Sequence, residues 1–207
     1  MLSIRILIVE DEPLIAENIA MYLNNNDFSV SGIAYDFDEA VKELRFNPPD
    51  AVLLDINLES DKDGIDIAKY LNAHHPLPFV FLTSYSDIAL VERAKQTNPA
   101  GYLVKPFNER TLYTTLQIAL ANFAKQNNLH VPDLNGERIN RNLPDAISNR
   151  EFEVLQLMYQ GKTNQQICDD LFISMNTVKR HVTNVYFKLD VNCRSAVIAK
   201  ARALMIG

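Results

Sequence analysis

The chain has 207 residues, of which 47% are hydrophobic and 22% charged, a globular composition long enough for one or two domains. No apolar run approaches the ~18 residues of a membrane span, no signal-peptide layout opens the chain, and two cysteines, Cys168 and Cys193, make no disulfide framework; a cytoplasmic protein without membrane insertion is expected. Residues 1–125 hold 18 acidic and 10 basic side chains, a net −8, and residues 126–207 hold 8 and 10, a net +2, so only the second stretch suits a phosphate polymer.

Short apolar runs occur at Ile6–Val9, Phe28–Ala34, Ala51–Leu54, Phe79–Leu82 and Tyr102–Val104. Lacking polar alternation, most of them predict strands buried on both faces of a parallel sheet. Helical spacing appears between and after them, at Leu14, Ile15, Ile19 and Leu23, then Ala40, Val41 and Leu44. It continues at Ile65, Ala68 and Leu71, at Ala89, Val91 and Ala94, and at Leu112, Leu116, Ile118 and Leu120. Five strands alternating with five helices predict a doubly wound α/β domain over residues 1–121.

Across residues 122–143 the pattern gives way to Gln126-Asn127-Asn128, Pro132-Asp133 and Asn135-Gly136, which reads as a linker or long irregular connection. Residues 144–207 return to helical periodicity without strands. Ser148-Asn149-Arg150-Glu151 is a capping box that opens a helix with Phe152, Leu155 and Met158 inward. A short helix follows from about Thr163 to Leu171, a third capped by Ser174 to about Leu189, and a fourth from about Arg194 to Met205. On the last, Val197, Ile198, Ala201 and Leu204 either pack inward or meet a second copy of the chain.

Ligands of parallel α/β sheets bind beyond the carboxyl ends of the strands. Here the first strand runs into Glu10-Asp11-Glu12, the third into Asp55, the fourth into Thr83-Ser84 and the fifth into Lys105-Pro106. A single acid after a strand most often caps a helix; four suitable strand ends together are harder to reach by chance. Crowded carboxylates invite a hard cation such as Mg²⁺. A lysine beside them suits a phosphoryl group, and a carboxylate can itself be the nucleophile that forms an acyl phosphate.

In the third helix of the C-terminal part, Val178, Val182, Val185 and Leu189 form one narrow stripe at about 100° per residue. The opposite face carries Asn176, Arg180, Thr183 and Phe187, with Lys179 at its margin. Most polar stripes are simply solvated, but this set of donors is what major-groove readout requires. With the short helix before it, the segment forms a helix-turn-helix.

Ile8-Val9-Glu10-Asp11-Glu12, Leu53-Leu54-Asp55-Ile56-Asn57-Leu58, Leu82-Thr83-Ser84 and Gly101-Tyr102-Leu103-Val104-Lys105-Pro106-Phe107 resemble, in order and spacing, the motif blocks of the response-regulator receiver domain of bacterial two-component signalling. The resemblance covers residues 1 to about 121 and implies a flavodoxin-like (βα)5 fold. It implies that Asp55 is the phosphoacceptor, served by a cognate sensor histidine kinase. Mg²⁺ would be held by Asp11, Asp55 and the Asn57 carbonyl, and by Glu10 through water. Lys105 and Thr83 would contact the phosphoryl oxygens, Tyr102 would rotate inward when Thr83 moves, and Lys105-Pro106 would be a cis peptide.

From about Leu143 to Met205, Ser148 to Leu155, Gly161 to Ile167, Ile173 to Tyr186 and Lys188-Leu189 resemble the LuxR/FixJ (NarL)-type helix-turn-helix family. This implies that Lys179, Arg180 and Thr183 face bases or nearby phosphates, and that Thr163, Asn176, Thr177 and Lys188 mainly touch the DNA backbone. Together the resemblances imply a transcription regulator rather than an enzyme, binding double-stranded DNA as a homodimer when phosphorylated. A haloacid-dehalogenase-type phosphatase would need a second carboxylate two residues after the nucleophile, where this chain has Asn57. A DNA-binder independent of phosphorylation would not need the full set Asp11, Asp55, Thr83 and Lys105.

Overall fold

A computed structural model of the chain describes residues 3–25, 27–58, 61–84, 88–128 and 133–206. The buried apolar runs form β1 (Ile4–Val9), β2 (Phe28–Ala34), β3 (Ala51–Asp55), β4 (Phe79–Thr83) and β5 (Gly101–Val104). The sheet order is β2-β1-β3-β4-β5, and β1–β3, β3–β4 and β4–β5 pair parallel. Helices α1 (Pro13–Leu23), α2 (Phe37–Phe46), α3 (Gly64–His74), α4 (Ile88–Lys95) and α5 (Glu109–Asn128) alternate with the strands. This is the flavodoxin-like order, and it places a crevice at the carboxyl ends of β1 and β3, where the winding reverses.

Central β3 is buried at every position, and successive residues of a strand point to opposite faces. Val52 and Leu54 therefore join Leu7, Val9, Phe81, Leu44, Ile67 and Leu71 in one apolar cluster, while Leu53 is fully buried on the other face. Asp36 and Asp63 start α2 and α3 by accepting from the Glu39 and Asp66 amides. Ala94 of α4 is buried; the side chains of Ala89 and Val91 lie outside the described residues.

The chain divides into two compact units, one spanning Arg5–Leu120 and the other including Ala121 onward. The second contains α6 (Gly136–Asn140), α7 (Asn149–Tyr159), α8 (Asn164–Leu171), α9 (Met175–Leu189) and α10 (Arg194–Ile206). The Ser148–Glu151 capping box forms at α7, and Val178, Val182, Val185 and Leu189 are the buried stripe of α9. Val197 and Ala201 of α10 are buried, and Ile198 and Leu204 pack on the same core. Val197 and Ala201 thus pack inward, while Ile198 and Leu204 remain partly exposed beside them.

The segment 122–143 differs from the expected irregular connection. Helix α5 continues to Asn128 with Ala124 buried, and α6 is capped by Asn135, whose side chain accepts from the Arg138 amide. Leu134 and Ile139 belong to the helical core. The polar residues Asn122, Lys125 and Gln126 are exposed positions on a helix rather than loop residues. No helix among the described residues is long and apolar enough to cross a membrane.

Candidate functional site

Sheet register aligns the strand ends. Val9 pairs with Leu54, Asp55 with Leu82 and Thr83 with Val104, so Glu10, Asp55, Thr83 and Lys105 emerge at the same end of the sheet. Carboxylate oxygens of Glu10, Asp11 and Asp55 all lie within 4.8 Å of one another. Lys105 Nζ lies 2.6 Å from Asp55 Oδ2, to which it donates, and 2.6 Å from Glu10 Oε2. The contact with Glu10 is an ion pair, and its other oxygen, Oε1, is buried with no hydrogen-bond partner among the described residues. Asp55 Oδ1 accepts from the Asn57 N–H at 3.1 Å.

Burial raises the Glu10 carboxyl from 4.5 to about 7; Lys105 pulls it down and Asp55 pushes it further up. Burial also opposes the Lys105 ammonium, but hydrogen bonding and attraction from Asp55 and Glu10 outweigh it and hold its pKa above the usual lysine value. Three carboxylates sharing one ammonium, one of them buried with no other donor among the described residues, fit a hard divalent cation with oxygen ligands.

A cleft of about 480 Å³ opens over this cluster, lined by Asp11, Asp55, Asn57, Ser84 and Lys105 among others. Beside it runs a more apolar groove of about 520 Å³ between Leu14, Ile19, Tyr22, Pro106 and Phe107. The Lys105-Pro106 bond is cis. Thr83 is buried, and its hydroxyl donates to the Ser84 carbonyl at 3.1 Å. Tyr102 lies inward, its ring stacked on Phe81 at 5.9 Å and its buried hydroxyl without a hydrogen-bond partner among the described residues. Burial, with Glu92, raises its pKa.

In the helical unit, α8 and α9 join through Phe172, whose φ of 53° puts it in the left-handed region. Ser174 caps α9 by accepting from the Thr177 amide. Asn176, Arg180, Thr183 and Phe187 are exposed along α9, and Lys179 is half-buried at their margin.

Residues 6–117 match the response regulator receiver domain, and residues 145–201 match the bacterial regulatory proteins of the luxR family. The chain belongs to the response regulators. Transcriptional regulatory protein LiaR of Bacillus subtilis is 30% identical over 201 residues, covering 93% of each chain. The probable transcriptional regulatory protein NarL of Mycobacterium tuberculosis is 30% identical over 207 residues, covering 96% of this chain and 94% of the relative. Full-length FixJ from B. japonicum, 21% identical and matched over the whole of both chains at a TM-score of 0.56, shares the fold. With its receiver and luxR-type helix-turn-helix, this response regulator is homologous to transcriptional regulators of two-component systems.

The receiver end of this response regulator gathers Glu10, Asp11, Asp55, Asn57, Thr83 and Lys105 at one rim, with Tyr102 farther back on β5. The expected DNA contacts divide. Asn176, Arg180 and Thr183 lie open, and Thr177 is half-buried with its hydroxyl 2.8 Å from Ser174 Oγ. Thr163 does not present a free side chain: it is fully buried, and its hydroxyl accepts from the Gln166 amide as the cap of α8. Lys188 is not a free phosphate contact either. Its ammonium donates to Glu151 Oε2 at 2.7 Å and to the Ala146 carbonyl at 2.8 Å, because a buried carboxylate takes the nearest cation.

That carboxylate escaped the sequence reading except as a cap. Glu151 also accepts from the Ser148 amide and from Asn184 Nδ2, both at 2.9 Å. Burial alone would raise its pKa, but Lys188, Ser148 and Asn184 together bring it down to about 2. Gly64 was missed too. A Cβ there would collide with the Asp55 carbonyl oxygen, so the start of α3 can close behind Asp55 only without a side chain. The one sequence signal was a glycine directly after the Asp63 cap.

Proposed function

We propose that this response regulator is a transcription factor phosphorylated on Asp55 by a sensor histidine kinase in the cytoplasm. The observation that carries the reading is the Asp55 carboxylate at the end of the central strand, held by Lys105 and faced by two further carboxylates. Asp11, Asp55 and the Asn57 carbonyl would hold Mg²⁺, with Glu10 acting through water. Bound there, the ion would offset the crowded negative charge that an incoming phosphoryl group meets.

Asp55 attacks the phosphorus of the kinase phosphohistidine, the P–N bond breaks, and its electron pair leaves with the imidazole. Lys105, paired with Asp55 Oδ2, passes to a phosphoryl oxygen as that charge moves outward. Thr83 turns its hydroxyl from the Ser84 carbonyl to another phosphoryl oxygen, and Tyr102 shifts with it. The apolar groove beside the cleft, with Leu14 exposed at its edge, suits a helix of the kinase. On α9, Lys179, Arg180 and Thr183 face bases or nearby phosphates while Asn176 and Thr177 meet the DNA backbone. Phosphorylation favours a homodimer on two-fold half-sites.

Acetyl phosphate with Mg²⁺, followed by intact-mass measurement and peptide mapping, should place one acid-labile phosphoryl group on Asp55. Asp55→Ala should gain none; gain at the wild-type rate refutes the assignment. DNA affinity should rise roughly 5–150-fold with the modification, the usual range of allosteric coupling.

A further inference from the structure

Phe187 is the member of the exposed α9 row that the DNA contacts above leave unused. It is 78% exposed. At 3.6 residues per turn, Asn176, Arg180, Thr183 and Phe187 fall within an arc of about 60°, opposite the buried stripe of Val178, Val182, Val185 and Leu189. Single exposed apolar side chains are ordinary on protein surfaces. Phe187 differs from them by its place, in line with an amide, a guanidinium and a hydroxyl on the face that a ligand of this helix would meet.

The ring can neither donate to a base edge nor pair with a phosphate. The apolar group that the major groove displays is the C5-methyl of thymine, and the groove is wide enough, at about 12 Å, to admit a helix. Helix α9 has 15 residues, about 22 Å of length at 1.5 Å per residue, so it can span several base pairs. Phe187 stands about 10 Å along the axis from Arg180, which corresponds to about three base-pair steps of 3.4 Å.

The geometry points to Phe187 as a specificity-determining residue that selects thymine through its C5-methyl, about three base pairs from the base read by Arg180. This rests on the DNA-binding reading of α9 given above. Phe172, 94% exposed in the left-handed turn before α9, lies off the row and takes no part in it.

The test begins with the acetyl-phosphate-treated full chain and a random duplex library, from which a preferred sequence is selected. Each thymine of that sequence is then replaced in turn by deoxyuridine, which removes the methyl and nothing else. Wild type should lose about fourfold in affinity at one thymine, the worth of one buried methyl group. Phe187→Ala should lose a similar factor on the thymine duplex and show no further loss at that deoxyuridine. Phe187→Leu should retain part of the discrimination, and Phe172→Ala should retain all of it. Unchanged circular dichroism would show that the exposed substitutions leave α9 folded. If every deoxyuridine duplex binds wild type as well as its parent, or Phe187→Ala remains as methyl-sensitive as wild type, the assignment is wrong while sequence-specific binding stands. If selection yields no preferred sequence, the DNA-reading function of α9 falls with it. A Phe187→Ala loss equal on all duplexes, accompanied by weaker self-association, would place the ring in a protein contact and overturn the assignment.

Discussion

Replacing Glu10 by Gln should stabilise the receiver when no divalent cation is present. Glu10 is fully buried, and burial raises its carboxyl from 4.5 to about 7. The folded value lies above the unfolded one. The stability this group contributes is therefore complete below about pH 4.5 and is lost as pH rises through about 7. At about 1.4 kcal/mol per pH unit, the ionised group weakens the fold by about 3 kcal/mol at pH 8. Gln cannot ionise, but it gives up the Lys105 ion pair and leaves an amide to satisfy, so a net gain of about 1–2 kcal/mol is expected. Hydrogen exchange of β1 and β3 peptides in EDTA reports the receiver separately from the helical unit. At pH 8 the variant should exchange about tenfold more slowly than wild type, and the gap should close near pH 4.5. Mg²⁺ should protect wild type more than the variant, since binding to the folded state adds stability by mass action. A Glu10→Gln protein that exchanges as fast as wild type at pH 8, or keeps the same advantage at pH 4.5, would refute the reasoning.

Lys105→Ala should still bind Mg²⁺ but gain less than twofold in DNA affinity on phosphorylation; a full response would remove Lys105 from the switch. Gly64→Ala should destabilise the receiver by about 1–3 kcal/mol through overpacking against Asp55 and slow acetyl-phosphate labelling, and normal stability with normal labelling would contradict that role. Arg180→Ala should cost about 1–3 kcal/mol on preferred DNA and relax the base preference, whereas an equal loss on random duplex would make it a backbone contact. Glu151, lowered to about 2, contributes stability that is present above about pH 4.5 and lost as pH falls through 2. Glu151→Gln should therefore weaken the helical unit by about 1–3 kcal/mol at pH 7, read as faster exchange of α7 and α9, and wild type should converge on the variant in acid; a gap that persists at pH 2 would count against it.

The receiver cluster was legible because topology does the gathering. Once parallel strands alternate with helices, their carboxyl ends meet, and the residue types at Glu10, Asp55, Thr83 and Lys105 can be read together without knowing any side-chain geometry. The helical unit was legible only in part. The period of Val178, Val182, Val185 and Leu189 fixed which face of α9 is buried, and hence which face carries Asn176, Arg180 and Thr183. Sequence does not show where a polar group finds its partner. Thr163 and Lys188 were read as DNA contacts, yet a cap amide takes the Thr163 hydroxyl and Glu151 takes the Lys188 ammonium. The order within the expected 122–143 connection, where it is described, is hidden in the sequence for a related reason. Leu134 and Ile139 are too few and too widely spaced to show a period, and the exposed polar residues at the end of α5 hide a helix whose inward contact there is Ala124.

Two buried glutamates, each facing one lysine, show how differently the two units treat the same problem. Glu151 accepts from Lys188, Ser148 and Asn184, and its carboxyl is lowered to about 2. With its charge matched by fixed donors, it ties α7 to α9 and holds the exposed row of α9 in one orientation. Glu10 shares Lys105 with Asp55, has no other donor among the described residues and is raised to about 7. A site that the protein leaves undercompensated responds strongly to whatever adds or moves charge there, and phosphorylation of Asp55 would do both. A satisfied buried charge suits a rigid reading surface and an unsatisfied one suits a switch. The distribution of donors, more than the presence of the acids, therefore separates the part of this response regulator that must change from the part that must not.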